Sequence, residues 1–461
     1  MRRASAFRLF GLALLLLVIV LALPAGAAAH GKPRLNPVIF VHGGAGSGAQ
    51  FESQKMRFTS NGYPERLVRV VEYDSTFGRG TMADVHAKID QLIAELRQET
   101  GRPQVDILGH SLGTAVMQGY LNSSPARAAN VAHYVNIDGG QAASPPGGVP
   151  TLAIWAGRGM PGRTIGGATN VTVPNQTHVQ SATSAESFVE MYKFFTGRPP
   201  KTSDILPEHG RWIEVSGRAV IFPQNTGAQD RTLQVWEVRG STGQRTHKRP
   251  VAVQALGGDG SWGPFKIKRG RHYEFALVPT TEGRTHHFYY EPFVRSDHLV
   301  RLLTSEAGSP LDLLTEKSPN HVSMVATRNK ELWGDQGAEN DVLEVGGTNV
   351  CNAATCPINK RVIGMFAFDV GSDGATNLAA PIPALFALPF LSGVDHFIPA
   401  APGGTGKVSV SLTSRGVGPA RTVNFPNRPS TTDQVTVQLN DFECPGRLEG
   451  CSRGVGKRGH R

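Results

Sequence analysis

Val105-Asp106-Ile107-Leu108-Gly109-His110-Ser111-Leu112-Gly113 is the stretch whose reading decides the fold. A short strand-like run enters a Gly-x-Ser-x-Gly pentapeptide, and Thr114 to Leu121 continues with helix-compatible residues. A serine on a tight strand-to-helix turn stands exposed at a sheet edge, and small neighbours allow the backbone to make that turn. The pentapeptide alone carries little weight: in a chain with 54 glycines, about 0.4 matches arise by chance. A second match, Gly450-Cys451-Ser452-Arg453-Gly454, sits in a basic tail with no strand before it, so context selects Ser111.

Working outward, residues 37 to 197 alternate β-rich apolar runs with helical patterns, the signature of an α/β domain with a mostly parallel sheet covered by helices. The runs are Pro37 to Val41, Leu67 to Tyr73, Val105 to Leu108, Val131 to Ile137 and Thr151 to Ala156. Thr81 with Asp84 resembles a capping box, and Val85, Ile89, Leu92, Ile93 and Leu96 follow at helical spacing. Thr183 with Glu186 predicts a second box before a closing helix striped by Phe188, Met191, Tyr192 and Phe195 and stopped at Gly197. The linker 200–208 follows, and after it helical periodicity gives way to period-two segments such as Tyr273, Phe275 and Leu277, or Val435, Val437 and Leu439. The expected organisation is an α/β domain with a mostly parallel sheet over 30–199 and a β-rich sandwich or barrel-like region over 209–461, with two subdomains as one option. The apolar stretch Leu378 to Leu391 carries Pro381, Pro383 and Pro389, so it reads as a loop covering a core or contacting an acyl chain, neither a helix nor a membrane span.

A serine hydroxyl near neutral pH needs a base within hydrogen-bond reach and a third group that orients the base. In this fold the chain order is serine, acid, histidine. Between Ser111 and His178 there is a single carboxylate, Asp138, directly after the run Val131 to Ile137. His178 lies in the loop before the closing helix, whereas His133 falls inside a strand-like run and His110 is the variable position of the pentapeptide. The developing oxyanion needs backbone N–H donors. Leu112 follows the nucleophile, and Val41-His42-Gly43-Gly44-Ala45 follows the first strand; Gly44 is the candidate second donor, with Gly43 needed for close approach. The same glycines lack the Lys-Ser/Thr pair of a phosphate loop and the spacing of a dinucleotide site.

These residues together, Val41-His42-Gly43-Gly44, Gly109 to Gly113, Asp138 and His178, resemble the lipase and esterase family of α/β-hydrolases over roughly residues 37 to 197. The short spacing from serine to acid and the following β-rich half look like two-domain long-chain lipases with a C-terminal β domain. The resemblance implies catalysis by Ser111, Asp138 and His178, an oxyanion hole of Gly44 and Leu112, and neither a metal nor an organic cofactor. It implies a lipid or other ester as substrate, triacylglycerol among them, met at a lipid–water interface. A short-chain esterase or polyester depolymerase, or a non-catalytic surface-binding protein, would share much of the pattern. No long helical lid is visible between Gly46 and Thr81.

The chain has 461 residues and a formal charge of +10. No aromatic stacking pattern accompanies the dispersed Arg and Lys, which speaks against nucleic acid as partner. Residues 1–29 read as an export signal: Arg2 and Arg3, an apolar stretch from Leu9 to Leu23, then small-residue cleavage positions at Ala25 to Ala29. A secreted protein without stable membrane insertion is expected. Four cysteines in an exported chain suggest disulfides, most simply Cys351 with Cys356 and Cys444 with Cys451, and their spacing is poor for zinc.

Overall fold

Strand β1 (Val38–Val41) is buried over its whole length, as an apolar run flanked by helices on both faces should be. The computed structural model describes residues 35–415 and 417–442. With β2 (Val68–Val71), β3 (Val105–His110), β4 (Val131–Ile137), β5 (Thr151–Ala156) and β6 (Thr169–Val173), β1 forms a six-stranded sheet in the order β2-β1-β3-β4-β5-β6. Every pairing in it is parallel. The order reverses at β1, so the loops leaving β1 and β3 are neighbours at one carboxyl edge, where such sheets open a crevice.

Alternation along the strands divides the core between two faces. Ile39, Val41 and Ile107 pack with Val85, Ile89 and Ile93 of helix α2 (Met82–Thr100), Val116 and Tyr120 of α3 (Leu112–Ser123) and Ala128 of the short α4 (Pro125–Ala129). On the other side Phe40 stacks with Phe51 and with Phe58 of α1 (Glu52–Ser60), and Phe58 meets Phe188, Tyr192 and Phe195 of α6 (Ala185–Thr196). The Thr81–Asp84 capping box is formed reciprocally at the start of α2. The expected Thr183–Glu186 box is not formed. Thr183 ends the short helix α5 (Gln180–Thr183), so Ser184 caps α6 instead, accepting from Ser187 N–H. Strand β6, Thr169-Asn170-Val171-Thr172-Val173, is an edge strand whose mostly exposed residues carry almost no apolar signal.

From Trp212 onward the chain is β-rich. An eight-stranded mixed sheet runs, in spatial order, through Ala252–Ala255, Arg231–Val238, His272–Pro279, Thr285–Tyr290, Asp433–Gln438, Met324–Leu332, Val362–Phe368 and Leu391–Asp395. Two four-stranded sheets pack on it. One contains Trp212–Ile221 and Asp297–Thr304 and buries Val215, Val300 and Leu302 against Phe275 and Phe288. The other contains Lys407–Ser414 and Val417–Pro426 and buries Val410 and Phe425 against Met324 and Val435. One long sheet therefore serves two successive sandwiches, which is how the β-rich half holds two cores.

Two expectations change. Cys351 and Cys356 are free thiols, both buried in the second sandwich core; burial, and then the neighbouring Cys356, push the Cys351 thiol well above its ordinary range, so it packs as a small neutral group without a bridge. The stretch around Leu385 contains one helical turn, Pro383–Phe386, because Pro383 occupies the first helical position, where a missing N–H costs nothing. Cover over the site comes from the β-rich half, since residues 46–81 hold α1, β2 and tight turns. The expected export signal 1–29, Cys444, Cys451 and the basic tail lie outside the described residues. Among the described residues no helix is long and apolar enough to cross a membrane.

Candidate active site

Ser111 occupies the turn between β3 and α3 with φ 53°, a left-handed conformation uncommon for a non-glycine residue. Its neighbours explain why the turn can exist. A Cβ on Gly113 would collide with the carbonyl of Val41, and one on Gly43 would lie 3.0 Å from Ser111 Cβ. The elbow and the β1 loop are thus pressed together, and only glycine permits the approach. Thr114 ties the elbow to the next loop, donating to Ser111 O (2.7 Å) and accepting from Gly140 N–H (2.7 Å).

The structure brings Ser111, His178 and Asp138 into one relay. His178 Nε2 is 2.9 Å from Ser111 Oγ, and His178 Nδ1 is 2.6 Å from Asp138 Oδ2. With Nδ1 protonated toward the carboxylate, Nε2 is left to accept the serine hydroxyl. Asp138 follows β4 with φ 44°, and its N–H donates to Ile154 O. Burial alone would raise its pKa, but hydrogen bonds from His178 and Ala156 N–H, with the charges of His178 and Arg163 nearby, hold it down to about 2. The acid is therefore an anion at any pH where an esterase works.

Gly44 lies on the exposed face of the β1 loop, and its N–H makes no hydrogen bond among the described residues, while Gly43 N–H donates to Gln50 Oε1 (3.2 Å). Leu112 N–H opens α3. Leu112 directly follows Ser111, Gly44 lines the same pocket as Ser111, and Gly43 gives the close approach between the two segments.

Several residues of the site carry no motif and escape sequence reading. Gln50 bridges the β1 loop and the elbow, its Nε2 2.7 Å from His110 Nδ1; His110 Nε2–H in turn donates to His178 O (3.0 Å). Burial, then the charge of His178, lowers the His110 pKa to about 3, so its ring is the neutral donor–acceptor this chain of bonds requires. Arg163, in the loop after β5, pairs with Asp138 Oδ1. Glu331, from the β-rich half, accepts from Val179 N–H (2.6 Å), Gln180 N–H (2.9 Å) and Thr177 Oγ1–H (2.7 Å), on both sides of His178. His133, the rival histidine, instead pairs with the buried Asp106 (2.7 Å).

Ser111 and His178 open into a pocket whose far wall belongs to the β-rich half: Phe288, Leu303, Val325, Ile363, Phe366 and Leu391 line it. Phe390, held at φ 63°, stacks parallel to His178 at 6.5 Å between ring centroids. Among the described residues no group of three or more His, Cys, Asp or Glu side chains could hold a metal ion.

Parallel sheet, elbow and crevice define the class: this is an α/β-hydrolase. A model of the family described as lipase (class 2) matches residues 35–131, one described as lipase C-terminal domain matches 211–307, and a third, described as a C-terminal domain, matches 310–443. Two separate stretches of the chain are thus similar to lipase domains, residues 35–131 to the class 2 lipases and residues 211–307 to a lipase C-terminal domain. The class 2 match ends before Asp138 and His178. Among solved structures the chain is similar to the pyrethroid hydrolase PytH (20% identity over 24% of this chain and 42% of that one, TM-score 0.20). It is also similar to a CIB-like hydrolase of Thermoplasma acidophilum (16%, 35% and 86%, TM-score 0.26). A third is lipase B of Aspergillus fumigatus (15%, 38% and 56%, TM-score 0.30). The chain spans less than two thirds of PytH and of that lipase B.

Proposed function

We propose that this hydrolase cleaves lipid esters with medium or long acyl chains, triacylglycerol among them, through an acyl-enzyme on Ser111. The observation that carries the reading is the pocket: the serine faces a space walled by several apolar residues of the β-rich half, a lining suited to an acyl chain rather than an acetyl group. Ser111 Oγ attacks the ester carbonyl while His178 Nε2 takes its proton, and Asp138 holds the imidazolium. The carbonyl oxygen gains charge and turns toward the N–H groups of Gly44 and Leu112; losing one such donor typically raises the barrier by about 3 kcal/mol. His178 returns the proton to the leaving alcohol, then activates a water that releases the acid and restores Ser111. Leu313, exposed in the turn Pro310–Leu313, and the half-buried Phe386 and Leu388 stand beside pocket-lining Leu311 and Pro389, an apolar rim suited to a lipid–water interface. The pattern of residues 1–29 supports export as part of the same reading.

The test is hydrolysis of p-nitrophenyl esters from two to sixteen carbons, and of emulsified triacylglycerol, by the chain and its Ser111→Ala variant. Turnover peaking at eight carbons or more is expected, with the variant slower by a factor on the order of 10⁴ or more. A peak at acetate or butyrate with no cleavage of the emulsion would replace the lipase reading with a short-chain esterase or polyester depolymerase.

A further inference from the structure

We infer that Glu331 is a positioning residue for His178, so that the C-terminal region completes the catalytic relay in addition to walling the pocket. The inference rests on the reading of Ser111 as nucleophile and His178 as base. Glu331 stands near the end of the strand Met324–Leu332 and is fully buried. A buried carboxylate persists only where its oxygens are satisfied. Here Oε1 takes Val179 N–H, and Oε2 takes Gln180 N–H and Thr177 Oγ1–H, at 2.6, 2.9 and 2.7 Å. All three donors come from the four-residue segment that contains His178. Among the described residues no Lys or Arg forms a salt bridge with Glu331, and Arg415 acts on it only through space, so these donors are its direct partners, and hydrogen bonds to a charged, dry acceptor are the strong ones.

The arrangement leaves His178 little freedom. Its carbonyl is fixed from the hydrolase side by His110 Nε2–H (3.0 Å) and by Ser181 Oγ–H (2.8 Å). Its flanking N–H groups are fixed from the β-rich side by Glu331. Two residues earlier on the same strand, Asn329 Nδ2 donates to Ala49 O (3.0 Å), in the segment that follows the β1 loop. One strand of the C-terminal region therefore reaches both the turn that follows the Gly44 loop and the loop of the base. Freed of Glu331, Val179 N–H, Gln180 N–H and Thr177 Oγ–H lose their shared acceptor and the imidazole can drift from Ser111 Oγ. A displacement near 1 Å in a reacting group can cost on the order of 10²-fold in rate.

The experiment compares the full chain with Glu331→Gln, Thr177→Val and the double variant on a water-soluble butyrate ester, where no lipid surface is involved. It reads kcat, KM, the rate at which a fluorophosphonate labels Ser111, and the low-field proton resonance of the His178–Asp138 hydrogen bond. For Glu331→Gln, kcat and labelling rate should fall at least tenfold with KM within about threefold, and the low-field resonance should broaden or vanish. Thr177→Val, which removes one donor and leaves the carboxylate, should lose less, and the double variant less than the product of the two. Unchanged kcat and labelling in a folded Glu331→Gln overturn the inference. So does a loss in both single variants that tracks the fraction unfolded and disappears where circular dichroism shows the chain fully folded. Ser111→Ala, assayed alongside, separates the two failures: if it still turns over, the reading of the nucleophile falls first.

Discussion

Asp138 meets two basic side chains at once, and the second, Arg163, is the less expected. The Arg163 guanidinium donates to Asp138 Oδ1, Nε donates to Met160 O (3.2 Å), and the group lies over the Trp155 ring at 4.9 Å. Its side chain is 9% exposed, so solvent screens the pair weakly. A cation on the far oxygen draws charge from the carboxylate and makes it a weaker stabiliser of the imidazolium that forms on His178. Arg163→Ala is therefore expected to stabilise the imidazolium formed during turnover and move the acid limb of kcat/KM toward higher pH. A pH–rate profile checks it, and an unmoved limb would reduce Arg163 to packing against Trp155. The sign for stability is opposite: because the Asp138 pKa is depressed to about 2, its network contributes fully above the unfolded value and is lost as pH falls toward 2. Ser111, Asp138 and His178 were legible because chemistry restricts them: one elbow in context, one carboxylate in the interval, one loop histidine. Arg163, Gln50, His110 and Glu331 obey no such restriction. Each is a single polar residue whose partner lies 25 to 152 positions away, and no local pattern records such a pairing.

Helix starts show where local signals suffice and where they mislead. At α2 the box Thr81–Asp84 is the sole cap signal nearby, and the helix begins where the sequence says. Before α6, Thr183 and Ser184 are adjacent and either could cap; the choice belongs to tertiary contacts. Thr183 O accepts from Arg57 Nη1, at 2.6 Å, and Glu186 accepts from Gln176 Nε2, at 2.9 Å, instead of folding back on a cap. Strand β6 and the Pro383–Phe386 turn were obscure for related reasons, an edge strand without an apolar face and a helix start hidden among prolines. Thr81→Ala should lower stability by about 1 kcal/mol through the lost cap. It touches no group of the site, so kcat should remain unchanged; urea unfolding and a butyrate assay measure the two separately. A fall in kcat without a fall in stability would mean that α2 communicates with the crevice in a way its packing does not show.

At the scale of the whole molecule, the two halves share one pocket: the parallel sheet positions Ser111 and Asp138, and the eight-stranded sheet supplies apolar wall. Register explains how. Phe288 pairs with Thr436, Thr436 with Val325, and Val325 with Phe366, so one row of side chains crosses four strands on the face toward Ser111. The next row contains Gln438, Thr327 and Gly364, and Gly364 leaves a gap in it. A Cβ there would meet Leu391 Cδ2 at 2.9 Å, the end of a flexible side chain, with Thr327 and Val325 methyls at 3.7 and 3.9 Å. Gly364→Phe should thus be accommodated by the fold yet fill pocket volume that an acyl chain would use, with Ser111, Asp138 and His178 untouched. Each methylene denied burial forfeits about 0.8 kcal/mol, so excluding two or three of them weakens long-chain turnover by a factor on the order of tenfold or more. Butyrate hydrolysis should stay within about threefold of the parent while palmitate hydrolysis drops, and the ratio of the two kcat/KM values is the measurement. An unchanged ratio would place the chain elsewhere than along the eight-stranded sheet; equal losses on both esters would mean that the substitution disturbs the relay through the strand that also carries Glu331's neighbours.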